Sequence, residues 1–273
     1  MPLISVPLVM IQGCKAGTIA GLIWGLMMLG FISPIIQKAE NYEQAAQQSE
    51  VHQHQHQHQH QHQHQHHDKT QNQEVSSTAD FEPNSWQRPL LTLLGSTLMG
   101  ISFGLLMSLV ISVGIKLTLF PKNIFQHSIL IGAFFGIFGF LIFQGIPSLG
   151  LSPELPGVIG AENDYEARQS WWLSCVAFSI LGLTSLATVP VLLRHWMKNV
   201  QARIASLLVA AGFILAPFIY GVPIHSEVSV VPAALKSDFV WVSIAVNVSF
   251  WLVLGSLLLF FITKELEPLK ATD

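Results

Sequence analysis

Residues 16–36 read AGTIAGLIWGLMMLGFISPII, a run without a single acid, base or histidine. An α-helix rises 1.5 Å per residue, so about 20 apolar residues cover the roughly 30 Å hydrocarbon core of a bilayer. The run is a membrane span, and it sets the reading of the rest of the chain. Five further stretches meet the same test: 89–115, 129–146, 171–193, 204–222 and 239–263. Composition agrees. Only 11% of the 273 residues are charged, where a soluble domain carries about 25%, and the mean hydropathy is +0.49. The expected fold is an all-α polytopic membrane protein with six transmembrane helices, one membrane domain over 1–273.

Lysine and arginine set the orientation. With both termini cytoplasmic, the inner segments hold Lys15, Lys116, Lys122, Arg194, Lys198, Arg203, Lys264 and Lys270, and the outer segments hold Lys38, Lys69, Arg88, Arg168 and Lys236. Thirteen of the sixteen acidic residues then fall outside. The outer segments are 37–88, 148–170 and 223–238. An acidic outer face concentrates cations near an entrance; acidic outer loops also avoid the cost of translocating lysine and arginine, and both readings stand.

The first outer segment contains HQHQHQHQHQHQHQHH over 52–67. Its ligand candidates are His52, His54, His56, His58, His60, His62, His64, His66 and His67. Neutral imidazole is the commonest side-chain ligand for Zn²⁺, Cu²⁺, Ni²⁺ and related cations. The tract is low in complexity and is expected to be disordered without metal. In an extended chain alternate residues share a face, so the imidazoles would line one side. That arrangement suits a loose store for several ions, with capture weakening below about pH 6.5 as imidazole protonates. The competing reading is tolerated filler from an expanded dinucleotide repeat.

Several function classes find no support. Cys14 and Cys175 are the only cysteines, too few for a disulfide framework or a cysteine zinc site. Cys14 follows Ile-Gln-Gly, but the segment before it lacks positive charge and the strongest apolar run comes after it, so lipidation is not expected. No GxxxxGK[ST] and no HExxH occurs, which leaves nucleotide hydrolysis and zinc proteolysis without a basis. Neither nucleotide nor nucleic acid is an expected partner, and no nucleophile–base set marks an enzyme. No Asp, Glu, Lys or Arg lies in the middle of a span. Such residues mark ion and proton pathways, so the chain is expected to be a passive conduit or one subunit of a larger system. Gln144 and Asn247 are the polar candidates there, Asn247 either offering a carbonyl oxygen along a path or hydrogen-bonding between helices.

Small residues recur four apart in the first three spans: Gly17, Gly21 and Gly25; Gly100 and Gly104; Gly132 and Gly136. This spacing lets helix backbones approach in lipid. Pro190 and Pro217 fall inside the fourth and fifth spans, where they free backbone carbonyls that line a path or are satisfied locally.

The second outer loop reads LSPELPGVIGAENDYEARQSWW over 151–172. Trp171 and Trp172 are placed as interface anchors, with Arg168 snorkelling or salt-bridged. A tighter metal site is expected where the outer loops meet the helices, with Glu154, Arg168 and His225 on that side. His225 and Glu227 are two residues apart, a spacing that an extended segment aims to one side; a solvated loop histidine is the alternative for His225. His127 and His195 are expected at the inner interface.

Leu-x-Pro-Glu-Leu-Pro-Gly at 151–157 with Ala-Arg-Gln-x-Trp-Trp at 167–172 resembles the CbtA family of predicted cobalt transporter subunits. Further matches are Trp-x-Arg-Pro at 86–89, Pro223 and His225, Pro-Ala-Ala-Leu at 232–235, and Asn247, Phe250, Trp251 and Gly255 in order. Two departures are visible. Ile224 separates the proline and histidine that the family usually places together, and glutamine replaces the aspartate and glycine usual in its first loop, which removes acidic co-ligands. The resemblance implies a multi-pass protein of the bacterial cytoplasmic membrane that imports Co²⁺, with a small single-span partner of the CbtB type. Ni²⁺ and Zn²⁺ are the other ions the same ligands accept. A metal-binding accessory or sensor that translocates nothing is the alternative.

Overall fold

The computed structural model describes residues 6–57, 86–116, 127–155, 162–193, 198–223 and 230–270. All regular structure in them is helical. Helix α1 (Val6–Met27) passes through a π-helical turn (Met28–Ile32) into α2 (Ser33–Gln57). Helix α3 spans Gln87–Lys116. Helix α4 (Ser128–Phe140) passes through a second π turn (Leu141–Gly145) into the short α5 (Ile146–Ser148). Then follow α6 (Glu162–Leu193), α7 (Asn199–Tyr220) and α8 (Ala233–Lys270). Among the described residues six helical segments are long and apolar enough to cross a membrane, the same six stretches that the sequence marks.

The π turns have a common cause. Proline follows each at the same distance, Pro34 after the first and Pro147 after the second. Proline has no N–H, so the carbonyl four residues back, that of Gly30 or Phe143, loses its α-helical donor, and the ring crowds it. Widening the turn by one residue relieves the crowding, and such a bulge is a bend point.

The first span does not end as a helix at the membrane edge. Residues 37–57 carry no glycine or proline and are rich in Ala, Glu and Gln, all strong helix formers, so α2 continues to Gln57. Residues 52–57 are therefore helical, and the face-sharing of an extended strand does not apply to them. Residues 58–67 lie outside the described residues.

Backbone contact knits α1 to α3. A methyl at Gly17 would overlap the Gly100 carbonyl, one at Gly100 would overlap the Gly17 carbonyl, and one at Gly21 would lie 2.6 Å from the Ser96 carbonyl oxygen. Helices α4 and α8 cross the same way, with Gly132 against the Gly255 carbonyl and Gly136 against that of Trp251. The expected four-residue glycine spacing thus serves packing. Helix α8 also packs on α1, and its Phe250, Leu254 and Leu258 are at most 2% exposed. It is the central helix of a four-span core. The fourth and fifth spans pair with each other as α6 and α7.

Candidate functional site

The two faces of the bundle differ. Gln12 of α1, almost fully buried, donates from Nε2 to Glu265 Oε1 of α8 at 3.1 Å. This bond ties the start of the first span to the end of the last, so the start of α1 and the end of α8 lie on one face, here the terminal face. The opposite, loop face carries the ends of α1, α4 and α7 and the starts of α3, α6 and α8.

At the loop face the chain leaves α5 and lies across the helix ends. Leu155 is 2% exposed and packs in a cluster with Ile32, Ala39, Val231, Phe239 and Val246. Anchoring Leu155 fixes its neighbour Glu154, whose Oε2 meets Nη2 of Arg168 at 2.9 Å. The arginine side chain is 14% exposed and the glutamate 32%, so the pair is partly shielded from water. Charged bonds of this kind are stronger than neutral ones.

Arg168 stands one turn before Trp171 and Trp172 of α6. The sequence placed these tryptophans as lipid-interface anchors. Trp171 is instead buried in the protein, and both indoles donate to backbone carbonyls. Trp171 is 7% exposed, and its Nε1 donates to the Pro217 carbonyl at 3.1 Å. That carbonyl belongs to the last turn of α7, where helix carbonyls lack intrahelical donors. Trp172 Nε1 donates at 3.1 Å to the Phe143 carbonyl, the one that Pro147 leaves without an α-helical donor. The two indoles of α6 thus cap carbonyls of α7 and of the third span that lack helical donors.

The middle of the core is aromatic. Trp24, Phe103, Phe143, Phe250 and Trp251 come from four spans. Trp24 meets Phe250 at 4.9 Å between ring centres, Phe103 meets Trp251 at 4.9 Å, and Phe143 stacks on Trp251 at 5.5 Å. Near this depth Asn247 Nδ2 donates to the Ser243 carbonyl at 2.8 Å and Ser108 donates to the Gly104 carbonyl, each within its own helix. For Asn247 this replaces the expected bond between helices. The Trp24 indole N–H is buried without a partner among the described residues.

The metal-ligand candidates divide sharply. Glu154 is placed, and its carboxylate is engaged by Arg168. His52, His54 and His56 lie on α2, described there only as backbone. His58, His60, His62, His64, His66, His67, His225 and Glu227 lie outside the described residues. Among the described residues no three His, Cys, Asp or Glu side chains come together as a metal cage. The sequence reading missed Gln12. Its signal was a four-residue step to Ala16 and Ala20, which are fully buried on the same face.

The family model for "Probable cobalt transporter subunit (CbtA)" matches residues 8–263. No curated protein and no solved structure matches the chain.

Proposed function

The chain belongs to the CbtA family of probable cobalt transporter subunits, and from that premise we propose that it admits Co²⁺ to the cytoplasm across the bacterial cytoplasmic membrane. In this reading the terminal face is cytoplasmic and the loop face external, as the lysine and arginine bias favours. The histidine tract raises the local concentration of metal. Glu154, His225 and Glu227 receive the ion at the loop face, and a small single-span CbtB-type protein completes the system. The single observation that supports this reading best is the engaged carboxylate of Glu154. It is a partly shielded anion at the loop face, held ready by one guanidinium that a divalent cation can displace.

The aromatic centre supports a second reading. Among the described residues the core holds no charge at mid-depth, and Asn247 and Ser108 turn their polar groups to their own helices, features that suit an accessory presenting metal to a partner. Deleting residues 52–67 separates the two. A transporter keeps cobalt uptake at high external metal and loses it at low metal. An accessory whose work is capture loses its effect at both.

A further inference from the structure

Two bodies make up the bundle. Helices α1 and α3, and likewise α4 and α8, are locked in pairs by glycine crossings where backbone touches backbone, and the two pairs are joined by the side-chain packing of α8 on α1 and α3. Helices α6 and α7 pack on each other through small buried residues, among them Cys175, Ser179, Ser206 and Ala210. Between the bodies lies an apolar cleft of about 620 Å³, walled by Met107, Val110, Phe138, Ile180, Leu183 and Leu186 among others. The hydroxyl of Thr184, which lines it, is bonded to the Ile180 and Leu181 carbonyls of its own helix. The cleft starts at the π turn, at Ile142 and Phe143, and runs toward the terminal face as far as Val110 and Leu186. Apolar walls that do not interdigitate lose dispersion contact, and in lipid no hydrophobic effect draws them together.

The directional contacts between the bodies gather at the other end. They are the Trp172 bond to Phe143, the Glu154–Arg168 pair, and Gly150 lying against the Trp171 ring. All three sit on or just beyond the π turn that Pro147 imposes, a natural bend point. We infer that α6 and α7 swing as one body about the loop-face end of the third span, with the Glu154–Arg168 ion pair as the catch and the apolar cleft as the clearance. The swing supplies the conformational step that uptake needs; only that purpose rests on the transport reading.

The test uses the full chain in liposomes with Cys14→Ser and Cys175→Ala, and no metal is added, so it stands apart from whether cobalt moves. Nitroxides at Val110→Cys and Leu186→Cys report across the cleft by pulsed dipolar spectroscopy. Nitroxides at Leu109→Cys and Ile129→Cys report within the core. The catch intact should give one narrow distance across the cleft. Glu154→Gln or Arg168→Gln should each add a second, displaced distance, and Glu154→Arg combined with Arg168→Glu should restore the single one. The core pair should stay unchanged throughout. Identical cleft distances in every variant would overturn the inference. So would a core pair that broadens along with the cleft pair, or an exchange that fails to restore the distance while the core pair stays narrow.

Discussion

The four-span core and the α6–α7 pair are built on opposite principles. In the core, glycine removes the side chain at the α1–α3 and α4–α8 crossings, so in each pair two helix backbones share one surface and neither can slide without a clash. Between the core and α6–α7, side chains are large, apolar and apart, and the joint is made of a few polar bonds at one end. The lesson is that a bundle with one uniform hydropathy contains a fixed part and a hinged part. The difference lies in whether contact is made by backbone or by tips of side chains.

The comparison breaks most visibly at the glycines. Gly17→Leu or Gly136→Leu drives a side chain into a neighbouring carbonyl and should destabilise the core by at least the about 1–3 kcal/mol of an overpacked interior. Loss of the folded species in detergent, followed by thermal melting, checks this. Gly95→Leu is the control, because nothing stands within 4 Å of that position, and it should melt like the parent. At the hinge, Glu154→Gln removes a partly shielded ionic hydrogen bond and should cost about 1.5–3 kcal/mol. The loss should appear as faster proteolysis or hydrogen exchange in α6–α7, with the core unchanged. Trp172→Phe leaves the Phe143 carbonyl without its indole donor and should cost about 0.6–1 kcal/mol, read as a smaller shift in the same exchange pattern. The smallest effect sharpens the picture from inside the pair. The Ser179 hydroxyl is buried with no partner among the described residues, so Ser179→Ala should be neutral or stabilise by up to about 1 kcal/mol, measured by the melting midpoint.

The fold was largely legible in the sequence. Six apolar runs of sufficient length are visible without any structure, and the four-residue steps of Gly17, Gly100 and Gly132 point to close crossings. The partners of those crossings were not legible. Gly255 and the Trp251 carbonyl lie more than a hundred residues from Gly132, and nothing local in α8 announces them. Trp171 misled for a physical reason. At a membrane edge an indole is equally at home facing lipid or donating inward, and only the carbonyls left open at Phe143 and Pro217 decide it. The helical run to Gln57 follows from the Ala, Glu and Gln of residues 37–57, which are strong helix formers, whereas alternating His and Gln carries no helical period of its own. At the candidate site, the sequence left Arg168 as snorkelling or salt-bridged with Glu154 on the same side, and the pair is decided by the burial of Leu155, which fixes Glu154 beside it. The roles of His225 and Glu227 depend on residues whose surroundings the chain order alone does not fix.

Cellular metal content tests the central claim most directly. Cells expressing this chain alone receive cobalt, nickel, zinc, copper and manganese together at low levels, and the cytosol is separated from the envelope before elemental mass spectrometry. Transport by this chain predicts cytosolic cobalt above that of an empty-vector control. Cobalt that rises only in the envelope would contradict transport by this chain and favour an accessory that holds metal for another protein.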